Sequence, residues 1–449
     1  MGDERPDGEE SRTVRIHSFD PSGPRKGPNH RDIPQEGLPV NHPLIERLAT
    51  DERVQLFSTL QDAGQSPYYR TMHSSTGATS NVQGVDRIML GSNNYLGLAR
   101  HPEVIEATTE AVRRFGSAST GSRLLNGTMS LHEELEAEIA DWFGTEDALC
   151  FSTGYQTNLG TLGALVGERD AVVIDEFAHA SLRDGLRMAR TSVHPFRHND
   201  LGALEDALIT ARRGSPEQIL VVVDSLYSME GSLAPLSGVA DLARSFGAAL
   251  MVDEAHAMGL YGPTRRGWVE ETGTVDAVDV TMASFSKCSA SCGGFITGSS
   301  DLVTGLRVTA RPMIFSTSSV PAATASSLAS IRLMRTDEGA ARTEAVRRNS
   351  ILLRAELGDK GIECTSGLTG DEWSPIVPVP VGDDLRAVHV WNLLLERGVY
   401  TGVAVHPAVP ATGAILRLCV TADHTEEQLV EAARAIADIL AVTRELSAL

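Results

Sequence analysis

Short runs that are apolar at every position alternate, through the middle of the chain, with longer stretches in which apolar residues recur every three or four positions. Ala148-Leu149-Cys150-Phe151, Ala171-Val172-Val173-Ile174-Asp175, Ile219-Leu220-Val221-Val222-Val223-Asp224 and Ala249-Leu250-Met251-Val252 are runs of the first kind. A strand with one wet face alternates apolar and polar residues, so an unbroken run is a strand covered on both sides. Leu131, Leu135 and Ile139 mark one face of a helix ending near Gly144, and a second helix is expected near 181–189. The alternation predicts an α/β fold, with a large domain built on a mainly parallel sheet. From about Ser327 the pattern becomes a long helix, strands at 374–379 and 414–420, and a final helix from Thr425. That predicts a smaller C-terminal α+β domain. Upstream, Arg87-Ile88-Met89-Leu90 reads as a strand entering a turn-rich loop, and His101-Pro102-Glu103 opens a helix with proline in its first turn. The expected boundaries are a disordered extension over 1–40, an N-terminal arm over 41–90, a large domain over 91–330 and a small domain over 331–449.

Charge and cysteine content narrow the partners. The 449 residues carry 39 Lys and Arg against 59 Asp and Glu, a formal charge of −20. So acidic a surface repels phosphate backbones and anionic membranes, which argues against nucleic acid and against stable membrane insertion. The five cysteines have neither metal-site spacing nor the density of a disulfide scaffold. No apolar run has transmembrane length, and Met1-Gly2-Asp3-Glu4-Arg5-Pro6 does not read as a signal peptide, so a cytoplasmic location is expected.

Chemistry-bearing residues fall where the buried strands end. Lys287 follows Val280-Thr281-Met282-Ala283-Ser284-Phe285-Ser286. A lysine held there with its ammonium desolvated has a lowered pKa and can form a Schiff base. Asp253 and His256 lie in Asp253-Glu254-Ala255-His256, straight after a strand. A carboxylate at one strand end and a lysine at the next are suited to gripping a pyridinium nitrogen and an aldehyde carbon, the two ends of pyridoxal 5'-phosphate. Ser152-Thr153-Gly154-Tyr155 lies between a strand and an apolar helix, a setting where backbone N–H groups favour a phosphate dianion. His179 follows a strand in Asp175-Glu176-Phe177-Ala178-His179, and a flat imidazole there can stack on a ring. Arg417, inside Ile415-Leu416-Arg417-Leu418, must meet an anion if it is buried, and a carboxylate matches its planar fork.

The order of these motifs resembles the α-oxoamine synthases, fold-type I pyridoxal-phosphate enzymes that condense an amino acid with an acyl thioester and release carbon dioxide. Ser92-Asn93-Asn94-Tyr95-Leu96-Gly97-Leu98, His179-Ala180-Ser181, Tyr227-Ser228-Met229-Glu230-Gly231, Val252-Asp253-Glu254-Ala255-His256 and Phe285-Ser286-Lys287 carry the likeness, which runs from about Leu90 to the C-terminus. Gly121-Ser122-Arg123-Leu124-Leu125-Asn126-Gly127-Thr128 and Arg311-Pro312-Met313-Ile314-Phe315 are similar to soluble bacterial serine palmitoyltransferases.

The resemblance implies Lys287 as the Schiff-base lysine, Asp253 as the partner of the pyridine nitrogen and His179 as the ring-stacking histidine. It puts His256 and Ser228 near the phenolate, and Gly154, Tyr155, Ser284 and Ser286 around the phosphate. Thr317 would reach in from the second subunit of a homodimer, and Arg417 and Asn93 would orient the substrate carboxylate. The implied substrates are an amino acid and an acyl thioester, on coenzyme A or a carrier protein; the product is a 2-amino-ketone. Val405 stands where the palmitoyltransferases carry a second arginine, which favours glycine or alanine over strict use of serine. An aminotransferase of the same fold would share Lys287 and Asp253 but would move an amine without releasing carbon dioxide. A binding protein on a dead scaffold would not need the intact lysine, aspartate and histidine set.

Overall fold

A computed structural model describes residues 42–406, 408–410 and 412–444; the extension expected over 1–40 lies outside them. The chain divides into two units, one ending at Asp62 and the other running from Ala63 onward. The described part of the first is a pair of helices, α1 (Pro43–Ala49) and α2 (Glu52–Asp62). Pro43 starts α1 and His42 caps it, its Nδ1 accepting from Leu44 N at 3.2 Å.

The second unit opens with a hairpin of β1 (Thr79–Val82) and β2 (Val85–Leu90), followed by α3 (Pro102–Phe115) and α4 (Ser130–Phe143). Helix α4 buries Leu131, Leu135 and Ile139 on one face, and Gly144 ends it in the left-handed conformation (φ 69°) that glycine adopts without strain. The alternating region then unfolds as β3 (Asp147–Phe151), α5 (Gly154–Leu165), β4 (Ala171–Asp175), α6 (Ala180–Ala189), β5 (Ser192–Phe196), α7 (Leu201–Arg213), β6 (Ile219–Asp224), α8 (Leu236–Ser245) and β7 (Ala249–Asp253). After the short α9 (Trp268–Glu271) come β8 (Val280–Ser284) and β9 (Gly294–Gly298). These strands form one seven-stranded sheet in the order β3-β9-β8-β7-β6-β4-β5. Five neighbours from β8 to β5 run parallel, and β9 is antiparallel to both β3 and β8. The unbroken apolar runs are buried throughout β4 and β6, as their composition predicts.

Two strands of this sheet do not show in the pattern. Strand β5 reads Ser-Val-His-Pro-Phe, and it lies at the sheet edge, where proline's missing N–H leaves no ladder bond unmade. Strand β9 begins at Gly294, where a Cβ would lie 2.8 Å from Gly154 Cα and 2.6 Å from Thr157 Oγ1. The glycine that lowers its strand propensity is what lets α5 approach.

Helices α10 (Ser300–Thr309), α11 (Arg311–Phe315) and α12 (Pro321–Met334) lead to α13 (Asp337–Asp359). The long helix expected from about 327 is thus two helices. Thr336 breaks it, its side chain accepting from Gly339 N at 3.3 Å to cap α13, with Asp337 and Glu338 in the first turn. Strand β10 (Ile376–Gly382), α14 (Asp384–Glu396), β11 (Val399–Ala404), β12 (Ala414–Cys419) and α15 (Glu426–Val442) complete the chain. The second sheet has the order β1-β2-β11-β12-β10, so residues 79–90 extend the sheet made by the C-terminal strands. Strand β2 runs parallel to β11, with Ile88 opposite Val399. Among the described residues no helix is long and apolar enough to cross a membrane.

One ion pair ties the loop before α4 to the large sheet. Arg123 forks onto Glu136, Nη1 to Oε1 at 2.7 Å and Nη2 to Oε2 at 2.9 Å, with both residues buried. Glu136 Oε1 also accepts from Cys150 N of β3 at 2.9 Å. Removing one partner of such a pair strands the other charge, so Glu136→Ala should cost about 3–5 kcal/mol. Denaturant unfolding is the check, and a midpoint equal to that of the parent would show that the pair does not hold this corner.

Candidate active site

Parallel strands present their carboxyl ends at one edge of a sheet, and ligand crevices form there. In this sheet that edge carries Ser152 after β3, His179 after β4, Asp224 closing β6, Asp253 closing β7 and Ser284 closing β8. Because β9 is antiparallel, its first residue Gly294 lies at the same edge. A cavity of about 240 Å³ opens between them, lined by Gly154, Tyr155, His179, Asp253, His256, Ser284, Ser286 and Lys287 among others. Eight of the residues singled out from sequence are therefore brought together.

One end of the cavity suits an anion. Thr153 caps α5 by accepting from Gln156 N at 3.1 Å, which leaves the N–H groups of Gly154 and Tyr155, both in the cavity lining, at the N-terminus of a twelve-residue helix. A Cβ at Gly154 would lie 2.9 Å from Ser284 Oγ, so glycine keeps that space clear for a ligand. Ser284 and Ser286 hydroxyls are 2.8 Å apart beside it. Tyr155 also lines this end, its hydroxyl donating to Asp184.

The other end carries charge. Asp253 is buried and accepts from Ala255 N at 2.9 Å and Asn158 Nδ2 at 2.8 Å. Burial holds the Lys287 ammonium below the ordinary lysine value; the nearby Asp253 charge opposes that shift and Arg417 adds to it. Burial also keeps His256 well below the usual imidazole range, and the charges of Lys287 and Arg417 push the same way. Its Nδ1 is 2.8 Å from the hydroxyl of the fully buried Tyr95. The Asp224 carboxyl is pushed well above its usual range by burial, with the neighbouring Asp253 charge adding to the effect.

The remaining candidates stand outside the lining. Arg417, buried on β12, donates through Nη1 to Asn93 Oδ1 at 3.0 Å and through Nε to the Ser228 carbonyl. Ser228 thus meets the site through its backbone. Thr317 is exposed, and its carbonyl accepts from Ser152 Oγ of its own chain at 2.8 Å. Val405 packs against the apolar core of the C-terminal sheet. Sequence reasoning missed Asn158, Ser181, Asp224 and Tyr95. Tyr95 and Ser181 stand in the stretches that carry the resemblance and Asp224 closes an apolar run, while Asn158 was marked only by lying one helical turn past Gly154.

A mainly parallel sheet with a lysine, a carboxylate and two imidazoles around an anion cradle at its carboxyl edge is the architecture of the fold-type I transferases. The chain belongs to the aminotransferase class I and II family, whose model matches residues 85–436, and within it groups with the α-oxoamine synthases. It is 40% identical to a serine palmitoyltransferase of Caulobacter vibrioides over 378 residues, covering 83% of this chain and 91% of that protein. It is also 40% identical to an 8-amino-7-oxononanoate synthase of Geobacter metallireducens, covering 83% and 93% of the two chains. A solved serine palmitoyltransferase structure with PLP superposes with a TM-score of 0.84 at 34% identity, covering 90% of this chain and all of that one.

The close approach of β9 and α5 is testable. Gly294→Ala adds a methyl group against Gly154 Cα and the Ala283 carbonyl, at 2.8 and 3.0 Å. Overpacking of this kind costs about 1–3 kcal/mol. A lowered thermal midpoint is the expected result, and an unchanged one would mean that the cradle has slack.

Proposed function

We propose that the protein is a pyridoxal-phosphate-dependent acyltransferase that joins the α-carbon of an amino acid to the acyl group of a thioester, with loss of carbon dioxide and release of the free thiol and a 2-amino-ketone. The observation that carries this is the shared cavity of Lys287, Asp253 and His179 with the cradle of Gly154, Ser284 and Ser286. The donor set fits the cofactor: a serine-lined helix N-terminus for a phosphate, a buried carboxylate for a ring nitrogen, and a desolvated amine for an aldehyde. Gly154, Tyr155, Ser284 and Ser286 would hold the phosphate, Asp253 the ring nitrogen, and His256 the phenolate side, whereas Ser228, outside the lining, would act through its carbonyl on Arg417. When bound, the cofactor supplies an electron-withdrawing ring that stabilises negative charge at the amino-acid α-carbon.

The protein's own groups do the rest. Lys287 Nζ, whose ammonium burial holds below the ordinary lysine value, takes the α-proton. The Arg417 guanidinium, kept in place by Asn93 Oδ1 and the Ser228 carbonyl, orients the carboxylate that is later lost. The His179 imidazole, which lines the cavity, would cover a face of the cofactor ring and donate toward the thioester carbonyl. A homodimer, with Thr317 of each chain exposed for its partner's site, and a cytoplasmic location complete the reading. Product analysis tests it: acyl thioester and amino acid should yield carbon dioxide and a ketone, whereas amine transfer to a keto acid would mark an aminotransferase.

Borohydride treatment of the yellow holoenzyme should place the pyridoxyl label on Lys287 by peptide mapping. A label on another lysine would overturn the assignment. Arg417→Lys should weaken amino-acid binding by roughly tenfold or more, because an ammonium cannot reproduce a bidentate fork. With Val405 offering no second charge, glycine or alanine should bind at least as well as serine. Spectral titration with the three amino acids reads both effects, and strict serine preference or undiminished binding in Arg417→Lys would relocate the carboxylate site.

A further inference from the structure

His179 is held from one side by a chain of buried side chains that ends on Asp253. Asn158 Nδ2 is 2.8 Å from Asp253 Oδ2 and 2.9 Å from Ser181 Oγ, and Ser181 Oγ is 2.7 Å from His179 Nδ1. Asn158 and Ser181 are both fully buried. The direction of every bond follows from what each group can do. A carboxylate only accepts, so Asn158 must turn its NH₂ toward Asp253. The second hydrogen of that NH₂ goes to Ser181 Oγ, which therefore accepts on that side. The Ser181 hydroxyl hydrogen is left for His179 Nδ1, and the Ser181 backbone N–H also points at Nδ1, at 3.3 Å. Two donors on one ring nitrogen leave no room for a proton on it.

We propose that Asn158 and Ser181 are positioning residues that lock His179 as the neutral imidazole with its hydrogen on Nε2, so that the ring edge facing away from α6 offers a hydrogen-bond donor to the cavity. Among the described residues Nε2 has no protein partner, which leaves that donor for a substrate oxygen. One amide thus sets both the bearing of the Asp253 carboxylate and the tautomer of His179. The charged and titratable groups around the ring are Asp253, Asp224, whose Oδ1 is 3.3 Å from His179 N, Lys287 and His256. The importance of the donor for catalysis rests on the function proposed above; the tautomer does not.

Nitrogen NMR of holoenzyme carrying ¹⁵N-histidine, with the His179 signals identified by their loss in His179→Asn, reads the tautomer directly. The expected spectrum has Nδ1 unprotonated and Nε2 protonated from about pH 6 to about pH 9, across the range where a free imidazole would titrate. In Ser181→Ala one of the two Nδ1 donors is gone, and Asn158→Ala releases the Ser181 hydroxyl. Both variants should show mixed tautomers and an acid limb in kcat/KM displaced upward by about one pH unit, a loss that approaches roughly tenfold only below the limb and leaves the neutral plateau in place. Their cofactor absorbance and unfolding midpoints separate this effect from simple loss of structure. A wild-type Nδ1–H or imidazolium signal at neutral pH would overturn the inference, and that measurement stands even if neither variant folds. Variants matching the parent in both spectrum and pH profile would overturn it too. A locked His179 in a protein without acyl transfer would refute the proposed function and leave this inference intact.

Discussion

Two adjacent carboxylates at the end of β7 point opposite ways, and the site depends on that split. Successive side chains at a strand end leave on opposite faces. Asp253 turns to the cavity, where Asn158 and the Ala255 N–H hold it. Glu254, fully buried, turns away and accepts from Ser225 Oγ at 2.7 Å, Trp268 N at 3.0 Å and Val269 N at 2.6 Å. Its two oxygens fasten the start of α9, and so fix the loop from 255 to 267 that carries His256. Glycine at 267 is required there: its φ is 134°, and a Cβ would fall 2.4 Å from Glu254 Oε2. Burial raises the Glu254 pKa to about 7 despite these donors. Moving either acid by one residue would exchange the cavity carboxylate for the structural one.

Much of this was legible from the chain alone, for a physical reason. Strands buried on both faces must be apolar throughout, so β4, β6 and β7 announced themselves, and the functional residues followed at their ends. What could not be read is what depends on neighbours distant in sequence. Strand β5 is an edge strand and tolerates Ser, His and Pro, while β9 starts with a glycine, Gly294, dictated by the helix packed on it. Asn158 looks like any polar helix residue until β7 brings Asp253 to within 2.8 Å of it. The parting of α12 from α13 rests on a single capping threonine in a region otherwise continuous with helix.

A second polar cluster shows why geometry must be weighed with exposure. His198 Nδ1 lies 3.0 Å from Asp175 Oδ1, and its Nε2 lies 2.8 Å from Ser232 Oγ. These are the distances of an acid, a base and a nucleophile in a hydrolytic triad. Ser232 is buried, however, and Phe177 stacks on the imidazole with ring centroids 4.7 Å apart. A nucleophile that a substrate cannot reach does no chemistry. The cluster instead joins the end of β4 to the loops after β5 and β6, and steadies the segment from Asp175 to His179.

The two ends of the second unit meet for a reason that the carboxylate anchor makes plain. A buried guanidinium on a central strand needs acceptors, and the C-terminal strands offer Arg417 few of their own. Strand β2 inserts beside β11 and delivers Asn93 three residues past its end, where Oδ1 takes the Arg417 Nη1 hydrogen at 3.0 Å. The approach is tight enough that a Cβ at Gly91 would lie 2.7 Å from the Tyr400 ring. On the other side, the turn after β6 supplies the Ser228 carbonyl to Arg417 Nε. The arginine is therefore satisfied by the beginning, the middle and the end of this unit at once. Its fork keeps a fixed bearing without a protein carboxylate on any of these contacts, so its charge remains for an anion from outside.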